Sequence, residues 1–258
     1  MGYEQIEVSD DGEIRVLTLS RPEKLNAWTP QMSAELVDAI NDGNESDHVG
    51  AFVVTGAGRA FCAGADIGAV FASQLDASGD AGSDRPPQTD WVALVRDSKP
   101  MVAAINGPSI GVGLTLALPM DFLVAHPEAK LSARFVKMGL VPELASSHFL
   151  VQRCGWGQAS DLALSGRTVL GDEARQIGLV DETAEDVVGA AMARARSYAE
   201  NAPPAVRMTK ALLTSNAADA DLPGVQRREL RALNEAYATP EHREAVQAFL
   251  EKRSPRFR

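Results

Sequence analysis

Apolar and polar residues alternate over residues 3–8 and again over Ile14–Leu19, around the turn signal Asp10-Asp11-Gly12. This predicts a β-hairpin at the start of the chain. Thr29 and Pro30 then open a helix, Thr29 as its cap and Pro30 at its first position, with Met32, Leu36, Val37 and Ile40 on one face. Residues 51–55 and Met101–Ile105 are short continuous apolar runs, the pattern of strands buried on both faces, and 121–125 is another. An apolar helix is expected over 114–118. Further on the pattern is helical over 146–152, 157–165, 171–177, 184–201, 203–216, 222–237 and 240–252. Residues 73–90 are polar and rich in Asp, Ser, Gly and Pro, which predicts a mobile loop or lid. The order is a β/α core followed by a helical C-terminal third, an α/β protein.

Composition narrows the function classes. The 258 residues are 45% hydrophobic and 23% charged, enough for one large soluble domain. The net charge of −10 comes without the basic stripe of a nucleic-acid binder. The two cysteines, Cys62 and Cys154, have no CxxC or histidine partner at metal spacing, so neither a disulfide scaffold nor a metal site is expected. The acidic N-terminus has no apolar signal core, and the longest apolar stretch, 110–125, is broken by Gly111, Gly113, Pro119 and Asp121. A cytoplasmic protein without a membrane span is expected.

Two strand-to-helix junctions carry the candidate chemistry: Gly56-Ala57-Gly58 through Ile67, and Asn106-Gly107 through Gly111-Val112-Gly113. Glycine allows left-handed turns and close backbone approach, and the following helix offers unpaired N–H groups. Phe61 and Leu116 replace the third glycine of a dinucleotide fingerprint, and no Gly-Lys-Ser or Gly-Lys-Thr is present for a phosphate loop. Ordinary tight turns remain an alternative for either junction alone.

With Leu25-Asn26-Ala27, Phe61-Cys62-Ala63-Gly64-Ala65-Asp66-Ile67, Lys99-Pro100, Ala104-Ile105-Asn106-Gly107, Ala174 through Asp181 and Ala248 through Arg253, the sequence resembles the crotonase (enoyl-CoA hydratase/isomerase) superfamily over essentially its whole length. The resemblance implies stacked ββα turns over residues 1–200 and a helical trimerisation region over 201–258. It implies a homotrimer or a hexamer made of two trimers, an acyl-CoA thioester as substrate, and no separate cofactor, since coenzyme A is part of the substrate. It implies an oxyanion hole made by the backbone amides of Ala65 and Val112. Many members have glycine where Val112 stands, so the valine side chain narrows the site. Removing a proton beside a thioester carbonyl creates an enolate, and each fixed N–H donor is worth about 3 kcal/mol to such a developing charge.

Hydratase members use two glutamates to activate water. Thr115 and Phe135 occupy those places here, and neither is a general base near neutral pH. The stretch 135–147 resembles instead the Δ3,Δ2-enoyl-CoA isomerase branch, which carries one catalytic glutamate at the position of Glu143. A single base suffices to move a proton from C2 to C4 and shift a 3-enoyl double bond to the 2-position. Burial in an apolar pocket is expected to raise the pKa of Glu143. An acid favoured by the dipole of the next helix is the alternative role for this residue.

By the same resemblance Lys24, Leu25, Ala27, Ala63, Asp66 and Ile67 line the coenzyme A site, and Phe249 and Lys252 reach its nucleotide end. Asp66 could equally cap a helix, and Lys252 could be a solvated surface charge. Asp121 is expected to be structural, and Cys62 buried and inert. The pocket walls are expected from residues 68–95, with Trp91 or Phe135. Another crotonase reaction (hydration, thioester hydrolysis or decarboxylation) and a non-catalytic acyl-CoA-binding role remain open alternatives.

Overall fold

The computed structural model describes residues 2–70 and 90–257. In chain order the strands are β1 (Ile6–Asp11), β2 (Ile14–Leu19), β3 (Ala51–Gly56), β4 (Met101–Ile105), β5 (Ser109–Ile110), β6 (Phe122–Ala125), β7 (Lys130–Ser132), β8 (Val169–Leu170) and β9 (Glu182–Thr183). The helices are α1 (Pro30–Glu45), α2 (Ile67–Val70), α3 (Trp91–Asp97), α4 (Val112–Thr115), α5 (Ser146–Ser165), α6 (Gly171–Gln176), α7 (Val187–Ala199), α8 (Pro203–Asn216), α9 (Leu222–Tyr237) and α10 (Pro240–Glu251). Residues 71–89, which hold the lid expected at 73–90 up to its last residue and most of the expected pocket wall, lie outside the described residues.

Among the described residues, β1-β2-β3-β4-β6-β9 form one sheet, antiparallel at the hairpin and parallel beyond it. Successive residues of β4 face opposite sides. Met101, Ala103 and Ile105 join the main core with α1 and α3, whereas Val102 and Ala104 join a second core against α7. This double burial explains why β3 and β4 read as unbroken apolar runs. A smaller sheet, β5-β7-β8, stands at the C-terminal end of β4.

Two boundaries differ from expectation. The hairpin pairs Asp11 with Ile14, so β1 begins at Ile6 rather than residue 3. The tight turn at Gly12 (φ +60°) sets the register, overriding the alternation upstream. The helix expected over 114–118 begins at Val112 and ends at Thr115. Gly111 takes φ 55°, ψ −122° and starts it early, and Pro119 disfavours helical backbone at the residue before it. Thr29 caps α1 as expected, accepting from the Met32 N–H, with Pro30 at its first turn. The two helical stretches expected at 146–152 and 157–165 are the halves of α5, which breaks at Gly155 (φ 72°, ψ 166°).

Of the C-terminal helices, α8 is pinned to the core. Lys210 is buried, and its Nζ donates to the carbonyls of Val95 and Lys99 and pairs with Asp121 at 2.7 Å. The Asp121 carboxylate also accepts the Met101 N–H, so the acid is structural as expected. In contrast, α9 and α10 bury only Gly224 and Ala248 and leave Leu230, Leu233, Tyr237, Phe249 and Leu250 exposed. No helix among the described residues is long and apolar enough to cross a membrane.

Candidate active site

The two glycine-rich junctions meet. Cys62 and Ser109 form a parallel bridge, with the Cys62 N–H donating to Pro108 and the Ile110 N–H donating to Cys62. Ala65 lies three residues past this pair on one chain segment, and Val112 three residues past it on the other. A Cβ at Gly113 would lie 2.0 Å from the Cys62 carbonyl oxygen, so this close approach requires glycine there.

Each of the two amides follows a glycine with positive φ, Gly64 (φ 117°) before Ala65 and Gly111 (φ 55°) before Val112. A second parallel bridge, Trp28 with Ala65, uses the Trp28 N–H and carbonyl to bond Gly64 and Asp66. That pattern turns the Ala65 N–H away from the Trp28 strand. Val112 is the first residue of α4, where an N–H has no partner within the helix. Among the described residues neither amide has an acceptor. Two unpaired donors thus stand at equivalent positions past one bridge, an arrangement suited to an oxyanion.

Asn26 secures the cradle from behind. It is fully buried with φ 56°; its Oδ1 accepts the Arg21 N–H, and its Nδ2 donates to the carbonyls of Ala57 (2.9 Å) and Ala60 (2.7 Å). Arg21 bonds the Ala27 carbonyl and pairs with Asp66 at 2.9 Å. That bond, with the Ala69 N–H and the charge of Lys24, holds the Asp66 carboxyl below its ordinary pKa. Asp66 also accepts the Ala69 N–H, so it caps α2. Sequence reasoning missed Arg21 and the binding role of the Asn26 amide; a buried asparagine beside glycine-rich loops was the available signal.

The residues assigned to coenzyme A fall into two groups. Lys24, Leu25, Ala27, Ala63, Asp66 and Ile67 are brought together, since the Ala63 N–H bonds the Leu25 carbonyl and the Trp28–Ala65 bridge continues the contact. Lys24 and Ile67 are exposed there. Phe249 and Lys252 form the second group. Both are exposed on or just after α10, and no hydrogen bond or ion pair among the described residues links that segment to residues 21–28. Cys62 is buried, and desolvation pushes its thiol up to about 11.

Glu143 lies on the segment that follows β7. The chain leaves β7, where Ser132 pairs with Ile110 and accepts the Gly111 N–H, and passes through a 3₁₀ turn at Arg134–Met138. Leu144 and Ala145 both adopt left-handed backbone (φ 51° and 52°) immediately after Glu143, a strained pair for non-glycine residues. The cap of α5 is Ala145, without a side-chain bond, so Glu143 does not cap this helix. Among the described residues no hydrogen bond or ion pair engages its carboxylate. Although its surface is open, neighbouring atoms desolvate the carboxyl enough to raise its pKa. Thr115 is fully buried, its hydroxyl donating to the Val112 carbonyl, and Phe135 is buried. Neither place holds an acid.

Comparison with known proteins identifies the frame. The family model for enoyl-CoA hydratase/isomerase matches residues 10–258. A protein of Mycobacterium tuberculosis described as a probable enoyl-CoA hydratase is 34% identical over 100% of this chain and 99% of its own length. The 1,2-epoxyphenylacetyl-CoA isomerase of Escherichia coli is 32% identical, with 95% of this chain and 94% of the relative covered. The crystal structure of an enoyl-CoA hydratase from Polaromonas sp. JS666 superposes with a TM-score of 0.88 at 28% identity, covering 98% of this chain and 99% of the other. With its bridged glycine junctions, its parallel sheet and these matches along its length, the chain belongs to the enoyl-CoA hydratase/isomerase family, the crotonase superfamily.

Proposed function

We propose that this protein is a Δ3,Δ2-enoyl-CoA isomerase. The thioester oxygen accepts the amides of Ala65 and Val112. Glu143 removes a proton from C2 and the enolate charge collects on that oxygen. The same carboxyl returns the proton at C4, leaving the double bond in conjugation and the base regenerated. Donors already in place at the oxygen need no reorganisation as charge develops. A carboxyl with a raised pKa is better matched to proton exchange with an enolate. Coenzyme A is part of the substrate, its near end resting on the Lys24 and Ile67 patch, and no separate cofactor takes part.

One observation carries the reading: Thr115 and Phe135 stand where a hydratase would hold its two acids, whereas among the described residues the Glu143 carboxylate is neither a cap nor half of an ion pair. The names of many relatives favour a second reading, hydration of a 2-enoyl-CoA. Glu143→Gln tests between them. Double-bond migration on a 3-enoyl-CoA should fall by about 10²–10⁴, with acyl-CoA binding retained. Turnover like that of the wild type sinks the assignment. Efficient conversion of 2-enoyl-CoA to the 3-hydroxyacyl product by the wild type would favour hydration.

We also propose a cytoplasmic homotrimer or a dimer of trimers. The exposed apolar residues of α9 and α10, together with Val136, Met138, Leu140 and Val141 beside Glu143, support burial against further copies.

A further inference from the structure

Next to the candidate site lies an open pocket of about 680 Å³, within the range of small-molecule sites. Leu144 and Ala145, the two residues after Glu143, line it, as does Trp91. Trp91 also meets the ring of Trp28 at 6.1 Å, and Trp28 is bridged to Ala65. The pocket's lining residues are thus tied to both halves of the site, to Glu143 along the chain and to Ala65 through Trp91 and Trp28.

Its polar content is unusual. Arg96 lines it with its guanidinium stacked on Phe149 at 5.0 Å, and among the described residues no hydrogen bond or ion pair engages that guanidinium. Two carboxylates also line the pocket. Asp90 caps α3 through the Ala93 N–H, and Asp97 is exposed and follows Arg96, about 100° round the helix. Asp121 acts on Arg96 only at longer range, being bonded to Lys210 and the Met101 N–H. Desolvation, with the nearby like charge of Arg153, pushes the Arg96 pKa down. A second lining group, the Thr214 hydroxyl, has its oxygen buried with no partner.

A half-buried cation and a buried hydroxyl thus line one pocket, two donors that the carboxylate of a ligand would satisfy together. Phe149 lies one turn beyond Ala145 on α5, and Arg96 lies five residues, about 7.5 Å, beyond Trp91 on α3. An acyl chain entering past Leu144 and Trp91 would thus reach Arg96 with its far end. We infer that the acyl group this enzyme accepts ends in a carboxylate, bound by Arg96 and the Thr214 hydroxyl.

This inference rests on the proposed thioester substrate, so its test separates binding from reaction. Octanoyl-CoA and its ω-carboxy counterpart share the coenzyme A portion and cannot isomerise. Calorimetric titration of the whole protein should show the ω-carboxy thioester binding about tenfold tighter or more, the scale of a charge-assisted hydrogen bond. Arg96→Met should bring the ratio close to one, Arg96→Lys should keep part of it, and Thr214→Val should lower it modestly. Equal binding of the two thioesters by the wild type overturns the inference even if no variant folds, as does a preference that survives Arg96→Met. A preference without migration of any 3-enoyl-CoA leaves the Arg96 assignment standing and removes the isomerase reading. Migration without a preference does the reverse.

Discussion

The two halves of the candidate site are held very differently. The cradle of Ala65 and Val112 is fastened by two parallel bridges, by glycines that alone permit the approach, and by Asn26 with both side-chain polar atoms bonded. The segment carrying Glu143 is open to solvent, has no side-chain bond at its acid among the described residues, and contains the strained pair Leu144–Ala145. Leu25 and Asn26 have the same left-handed backbone, but Asn26 is secured by its side chain, as Leu144 and Ala145 are not. The difference follows the chemistry proposed. Donors to a developing charge gain from being fixed before reaction, whereas a base serving both C2 and C4 must reach two atoms.

Removing the base is the sharpest way to break this comparison, and Glu143→Gln carries the largest expected effect, given above. Val112→Pro comes next. Proline suits the first helical position and deletes only an N–H that has no acceptor among the described residues. The fold should survive, and kcat should drop by about 10²–10³, the cost of one oxyanion donor. A kcat like that of the wild type, measured alongside an unchanged circular dichroism spectrum, would remove Val112 from the cradle.

Stability changes should have opposite signs on the two sides. Asn26→Ala strands the Arg21 N–H and the carbonyls of Ala57 and Ala60, and should cost about 3 kcal/mol by denaturant titration. Ala145→Gly instead relieves left-handed strain at an exposed residue and should stabilise by up to about 1 kcal/mol. If both changes destabilise equally, the contrast between a fastened and a loose half is wrong. The smallest effect is in pH dependence. Desolvation raises the Glu143 pKa, and a base must be ionised, so kcat/KM should fall on acidification through a value above the ordinary glutamate range. An acid limb at or below that range would contradict the proposed role.

The sequence was most legible where one residue type has one physical reason to be present. Thr29-Pro30 announced α1, and the glycines of the two junctions marked where donors emerge. The small sheet β5-β7-β8 escaped because strands of two or three residues carry no periodicity. The helix at Trp91–Asp97 was hidden by the polar stretch before it. Lys210 looked like one more surface lysine on a helix, since its partners lie 89 to 115 residues away in sequence. Arg96 is equally unremarkable in sequence, and what sets it apart is the Phe149 ring beneath its guanidinium. Pairings of this kind depend on packing, which no local pattern encodes.

The central claim is that a single glutamate moves a proton while no water is added. Incubating a 3-enoyl-CoA with the enzyme in ¹⁸O-labelled water and analysing the product by mass spectrometry tests it directly. The account predicts a conjugated 2-enoyl-CoA of unchanged mass as the main product; a main product that has gained labelled oxygen as a 3-hydroxyacyl-CoA would contradict it.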